Sequence, residues 1–293
     1  SCKNFLERIK NMTQLKESRE TSKFKIIFIK IIIYLGQKTF LGRGLIRKLI
    51  INFINYYIGY GNFKNSRFVC KINNVPFNFY NDKLTGIKFY FGRNEKNEIN
   101  FIKKNSFNKS VFIDIGANMG LYTQNIASLN NENKKIKIIA VDPNPINTFR
   151  LKENLKLLKK RIPKILSVTK IKNCALGNKN KKMNFSFSNG LANGLLTNKE
   201  NKDKIIVKCK KLIDIVNEEK LEYITNLKID IEGSEDLVLI PFFKNCKKKL
   251  YPKNIVLEHS SHKLWKKNLI KFLNNVGYKK IFKNESNIVL SLK

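Results

Sequence analysis

The chain has 293 residues, 42% of them hydrophobic and 11% aromatic, enough to bury about 75% of its unfolded surface in one large core or two unequal ones. That excludes a disordered chain, a collagen and a disulfide-stapled miniprotein. Fifty-eight Lys and Arg against 22 Asp and Glu give a formal net charge of +36, which points first to nucleic acid or anionic lipid. Most of these bases are Lys, however, and Asn and Ile are also abundant, which is the composition an AT-rich genome imposes, so charge alone names no partner.

The earliest elements are basic and apolar together. Phe24 to Leu35 is interrupted by Lys25 and Lys30, falls short of the ~20 apolar residues that span a membrane, and is not followed by a small-residue cleavage site. With Leu45 to Ile58 it predicts two basic amphipathic helices. Their apolar faces suit packing against the main domain or a peripheral contact with an anionic membrane. The alternation Val75-Pro76-Phe77-Asn78-Phe79 and the run Gly86 to Tyr90 predict strands, and residues 94–104 a short helix. We place a boundary here, with 1–110 an N-terminal extension of helices and short strands and 111–293 the main domain.

From Val111 the pattern alternates: strand Val111–Ile115, helix Leu121–Leu129, strand Ile136–Asp142, and helix Pro145–Lys160 with Asn144 as its cap. Strands follow at Ile165–Ile171 and Asn226–Ile231, a helix at Ser234–Phe243, and a strand at Asn254–Glu258. A hairpin is inserted at Lys182–Phe187 and Lys204–Lys208. A helix Leu264–Val276, stopped by Gly277, and two strands around Ile281 and Val289 close the chain with an antiparallel pair. Alternating strands and helices predict an α/β fold with a mostly parallel sheet. Five cysteines, Cys2, Cys70, Cys174, Cys209 and Cys246, contain no C-x-x-C and suggest neither a disulfide framework nor a thiolate metal site. A reducing, cytoplasmic setting is expected, at a membrane surface if the basic helices dock there.

The chemistry concentrates at strand ends, where open parallel sheets bind ligands. The strand Val111–Ile115 runs through Asp114 into Gly116-Ala-Asn118-Met-Gly120. A dinucleotide fold needs G-x-G-x-x-G, but Asn118 and Leu121 stand where the second and third glycines belong, so a nucleotide-like ligand without a pyrophosphate fits better. S-adenosylmethionine meets that description. Gly116 and Gly120 let the backbone pass its amino-acid moiety and Asp114 orients the ammonium. Asp142, ending the next strand, is placed to accept both ribose hydroxyls. Asn173, beyond the third strand, is a candidate for the adenine edge, although Asn and Gly there are also ordinary turn chemistry. Asp230 and Glu232, two apart at the end of the fourth strand, would share a face of an extended chain and raise one another's pKa, suiting a general base or a hydroxyl-positioning pair.

The D-I-G-A-N-x-G turn, D-P-N-P, A-L-G and K-I-D-I-E-G-S-E, in this order, resemble the FkbM family of S-adenosylmethionine-dependent methyltransferases over residues 84–292. The resemblance implies a Rossmann-like fold with a mostly parallel seven-stranded sheet, helices on both faces and an antiparallel C-terminal strand. It also implies O-methylation of a hydroxyl on a sugar, glycan or related metabolite. Asp114, Gly116, Asn118 and Gly120 would surround the methionine part of the cofactor, Asp142 its ribose, and Asp230 with Glu232 would face the transfer site. The two histidines lie in Glu258-His259-Ser260-Ser261-His262, which lacks the H-E-x-x-H order and a third ligand. No metal is therefore expected, and His259 is an alternative general base. Trp265 is either core or a lid. Two other readings remain: an RNA methyltransferase, favoured by charge but without the [DNS]-P-P-[YFW] element after the fourth strand, and a non-catalytic protein of the membrane surface.

Overall fold

The computed structural model describes residues 23–38, 45–46, 48–50, 52, 67–80, 90, 95–188, 193–197 and 204–293. The chain forms two compact units, Ser1–Lys96 with Asn189–Asn193, and Asn97–Ser188 with Gly194–Lys293. In the first, helix α1 (Lys23–Lys38) accompanies a hairpin of β1 (Arg67–Ile72) and β2 (Val75–Tyr80). The α1 helix buries Ile29 and Ile33 and exposes Ile27, Ile31 and Tyr34. Gln37 fastens it by donating to the carbonyls of Lys71 and Tyr90, both at 2.8 Å. Phe79 stacks on Phe68 with ring centroids 4.4 Å apart. The second expected helix, Leu45–Ile58, and the strand at Gly86–Tyr90 lie largely outside the described residues, and Tyr90 itself is helical. No helix among the described residues is long and apolar enough to cross a membrane.

The second unit begins within α2 (Lys96–Lys104), earlier than residue 110, because Glu98 of this helix is buried against the far end of the chain and accepts hydrogen bonds from the side chains of Asn284 and Asn287. After it come β3 (Val111–Ile115), α3 (Leu121–Ala127), β4 (Lys137–Val141), α4 (Pro145–Lys156), the single turn α5 (Ile165–Val168) and β5 (Thr169–Lys172). The short strands β6 (Ala175–Leu176), β7 (Lys181–Ser188), β8 (Asn193–Thr197) and β9 (Lys204–Lys210) form a separate sheet in the order β6-β9-β7-β8, and β7 pairs antiparallel with β9 as the expected hairpin. Then follow α6 (Leu212–Glu218), β10 (Asn226–Ile229), α7 (Glu235–Asn245), β11 (Asn254–Glu258), α8 (Leu269–Val276), β12 (Tyr278–Lys283) and β13 (Asn287–Leu292).

The main sheet has seven strands in the order β12-β13-β11-β10-β3-β4-β5. All neighbours on the β11-to-β5 side are parallel, and β13 is antiparallel to both β11 and β12. Every residue of β3, β10 and β11 is buried, as expected of a parallel sheet covered on both faces. Chain order reverses between β3 and β10, so a crevice opens there at the carboxyl ends of the strands. Several boundaries differ from those read in the sequence, three of them with a local cause. Residues 165–168 coil into a turn because the sheet edge at β5 pairs with β4 only from Thr169. The last helix starts at Leu269, where the Asn268 side chain caps the Lys271 amide at 3.0 Å. Finally, β10 stops at Ile229 rather than Ile231.

Candidate functional site

The turn after β3 is shaped by three left-handed residues, Gly116 (φ 73), Asn118 (φ 50) and Gly120 (φ 95). Gly116 has no alternative: a Cβ there would stand 1.8 Å from the Asp230 carbonyl oxygen. At Gly120 it would meet Leu151 Cδ1 at 2.3 Å. The amides of Gly116 and Ala117 both donate to the Val141 carbonyl, at 2.9 and 3.1 Å, which ties the turn to the end of β4.

Asp114 is buried beneath this turn. Its Oδ2 accepts from Thr123 Oγ1 at 2.6 Å and from the Thr123 amide at 3.0 Å, so the carboxylate anchors the first turn of α3. Its Oδ1 is also buried, and no described residue bonds to it. Burial raises the Asp114 pKa, and nearby Lys228 opposes the rise. Both oxygens of Asp142 have partners by comparison. Oδ2 accepts from the Asn118 amide at 2.8 Å, while Oδ1 accepts from the Asn144 amide at 2.9 Å and from Asn147 Nδ2 at 3.3 Å. Burial still outweighs these donors and pushes the carboxyl up to about 6. Asn144 caps α4 through the Ile146 amide at 2.9 Å, as the sequence predicts. Asn173 spends its amide nitrogen on the backbone, donating to the carbonyls of Asp142 and Pro143 at 3.0 Å each. It fastens the loop after β4 to the loop after β5.

Across the crevice stands Lys228, a buried cation that sequence reading passed over. Its Nζ donates to the Gly116 carbonyl at 3.1 Å, lies 3.4 Å from Asp230 Oδ2 and sits 5.5 Å from the centre of the Tyr122 ring. A lysine between Leu227 and Ile229 in a buried strand is the one signal that could have found it. The premise that Asp230 and Glu232 share a strand face does not hold, because β10 ends at Ile229 and the chain turns, with Glu232 at φ 57 and Gly233 at φ 96. Glu232 is exposed. Although its side chain reaches solvent, partial loss of water around the carboxyl, then the charges of Asp230 and Glu235, raise its pKa. The turn is held from below by Glu235, whose Oε1 accepts from the amides of Ile231 at 2.8 Å and Gly233 at 3.2 Å. Glu235 Oε2 accepts from Trp265 Nε1 at 2.6 Å, so Trp265 braces the turn while packing on the core.

At the end of β11, Glu258 is 6% exposed. Oε1 accepts from the Ser260 amide at 2.7 Å, Oε2 is buried without a partner among the described residues, and burial followed by the charge of Asp230 pushes the carboxyl up to about 7. His259 turns the other way: its Nε2 meets the Asn284 carbonyl at 3.1 Å in the β12–β13 connection. The His262 Nδ1 meets the His259 carbonyl at 2.7 Å. Among the described residues no group of three or more His, Cys, Asp or Glu is placed to hold a metal ion.

The crevice is therefore lined by strand-end carboxylates around a glycine turn and one buried ammonium. That donor set suits a ligand bearing an ammonium, a sulfonium and sugar hydroxyls, and it lacks the glycine pattern that would admit a pyrophosphate. Residues 114–280 match the methyltransferase FkbM domain. No curated protein matches the chain. Among solved structures, the methyltransferase FkbM from Methylobacillus flagellatus KT aligns at 14% identity and a TM-score of 0.42 over 64% of this chain and 44% of its own, so the chain spans less than half of that protein. A methyltransferase from Geobacter sulfurreducens aligns at 8% identity and a TM-score of 0.41, covering 69% of this chain and 79% of that one. The TYW2 protein of M. jannaschii in complex with AdoMet aligns at 14% identity and 0.40, covering 77% and 84%.

Proposed function

The chain belongs to the FkbM family of S-adenosylmethionine-dependent methyltransferases, and from that premise we propose that it methylates a hydroxyl of a sugar, glycan or related polyol metabolite. The reading of a non-catalytic surface protein gives way to an enzyme whose cofactor is S-adenosylmethionine. The observation that carries the assignment of residues is the linkage of three strand-end carboxylates to one turn. Asp142 accepts from its Asn118 amide, Lys228 joins its Gly116 carbonyl to Asp230, and Asp114 lies under it.

In this reading the unpartnered Oδ1 of Asp114 and the backbone of Gly116, Asn118 and Gly120 receive the amino-acid end of the cofactor, and Asp142 the ribose. Asn173 positions the Asp142 loop and leaves its carbonyl oxygen toward the adenine. Bound cofactor supplies an electrophilic methyl group on a sulfonium. The protein's part is to hold an acceptor oxygen in line at near-attack distance, the source of most of the rate in such transfers. Asp230, steadied by Lys228, and Glu232 orient that hydroxyl. Calorimetric titration with S-adenosylmethionine and its demethylated product tests the reading: micromolar binding by the natural chain, lost in Asp142→Ala, is expected, and no binding by a folded natural chain would overturn it.

The net charge of +36 favours RNA as a second acceptor class. Lys109, Lys135, Lys137, Lys170 and Lys220 line a cleft of about 530 Å3 at the amino ends of the strands, on the edge opposite the site. Methyl transfer to RNA that persists at high salt would select this reading, since non-specific phosphate binding is lost there. The exposed Ile27, Ile31 and Tyr34 of α1 support a peripheral contact with anionic vesicles, checked by co-sedimentation of the full chain.

A further inference from the structure

We infer that Glu258 is the general base that takes the proton from the acceptor hydroxyl during methyl transfer, an assignment that rests on the methyltransferase reading above. The strands β10 and β11 run parallel with Ile229 opposite Leu257, so Asp230 and Glu258 leave their strands side by side at the edge of the crevice. The Glu258 carboxyl is buried, one oxygen is used by the Ser260 amide, and the other has no partner among the described residues. Packing does not call for such a group: an apolar residue ending a buried strand would be cheaper than a carboxyl with an unsatisfied oxygen.

The surroundings explain its state. Asp230 and Glu232 from the turn after β10 and Glu235 from the start of α7 all face it with negative charge. Lys228 lies 3.4 Å from the Asp230 carboxylate. Asn287 stands opposite Glu258 on β13. His259, next in the chain, is committed to the Asn284 carbonyl. Burial and these like charges hold the carboxyl at about 7, so it exchanges a proton readily near neutral pH, as a general base must. The competing carboxylates are less suited: Asp230 has a lysine beside it and Glu232 is exposed. In the transfer, the acceptor oxygen's lone pair forms the new bond to the methyl carbon while the carbon–sulfur pair stays on sulfur. The hydroxyl proton passes to Glu258 Oε2 and from there to water.

The test needs no acceptor. S-adenosylhomocysteine and sinefungin, in which an amine on carbon replaces the sulfonium methyl, are titrated against the full chain and Glu258→Gln between about pH 5.5 and 8.5, the range that brackets a carboxyl raised to this degree. The natural chain should favour sinefungin increasingly as pH rises through about 7, by roughly tenfold, the usual scale of one charge-assisted hydrogen bond. Glu258→Gln should keep its affinity for S-adenosylhomocysteine and lose the rise. An equal rise in the variant overturns the inference. S-adenosylhomocysteine failing to bind either protein instead overturns the methyltransferase reading, and this assignment with it. Proton release by the natural chain, measured in buffers of different ionisation enthalpy, gives an independent readout should the variant not fold. Sinefungin must release more protons near pH 6.5 than S-adenosylhomocysteine does, because its ammonium lowers the carboxyl's pKa; equal release refutes the assignment.

Discussion

The two halves of the crevice handle buried carboxylates differently. On the β3–β4 side, Asp142 is surrounded by donors from Asn118, Asn144 and Asn147, and Asp114 is clamped to Thr123. On the β10–β11 side, Glu232 and Glu258 face other acids, and Glu258, like Asp114, leaves one buried oxygen unbonded. Carboxylates set among hydrogen-bond donors and a lysine are held in place, whereas those facing like charges are poised to exchange protons. The division suggests that one half keeps the cofactor and the other does the chemistry.

Gly116 joins the halves, so Gly116→Ala should have the largest effect. Its Cβ would collide with the Asp230 carbonyl, and φ 73 is strained for any other residue. A loss of ~4 kcal/mol or more in denaturant unfolding is expected, with cofactor binding abolished. Lys228→Met removes the cation between the halves, leaving Asp114 and Asp230 without their counter-charge. It should cost about 3 kcal/mol, with the loss growing as pH rises and Asp114 ionises.

The third prediction concerns pH. Glu258 is raised from 4.5 to about 7 and Asp142 from 3.8 to about 6, so the folded state binds protons that the unfolded state has released. The stability they contribute is complete below pH ~4 and is lost as pH climbs through about 6 and about 7, on the order of 5 kcal/mol for the two together. Thermal melts of Glu258→Gln should show a flatter decline over that window, and an unchanged slope would contradict the poise assigned to the β10–β11 half. The smallest effect is that of Asn144→Ala. Losing the α4 cap costs about 1 kcal/mol, yet the Asn144 amide that serves Asp142 is backbone and stays. Stability should fall while affinity for S-adenosylhomocysteine does not, separating scaffold from ligand contact on the β3–β4 side.

Much of this arrangement was legible in the residues. The alternation of strands and helices, the antiparallel ending and the turn of Gly116 and Gly120 follow from periodicity and from glycines at strand ends. The Asn144 cap and the placement of Asp114, Asp142 and Asp230 at strand ends were legible too. What escaped was long-range or depended on where a strand stops. Lys228 matters because of Gly116, 112 positions away, and no local pattern encodes that meeting. Glu235, at the start of α7, ties down the preceding turn and Trp265, a residue 30 positions further on. Glu232 was aimed by assuming that β10 continued two residues further. His259 escapes a local reading because nothing in its neighbourhood announces that the Asn284 connection returns to meet its ring.

The placing of β13 between β11 and β12 has a consequence for biogenesis. As the chain leaves the ribosome, β11 presents an open edge with Ile255, Val256 and Leu257 at its centre until a segment synthesised after β12 arrives to fill the gap. An unpaired apolar edge is a template for association with other chains. The interval between the emergence of β11 and that of β13 is therefore when a nascent copy is most exposed to aggregation, and most in need of a chaperone.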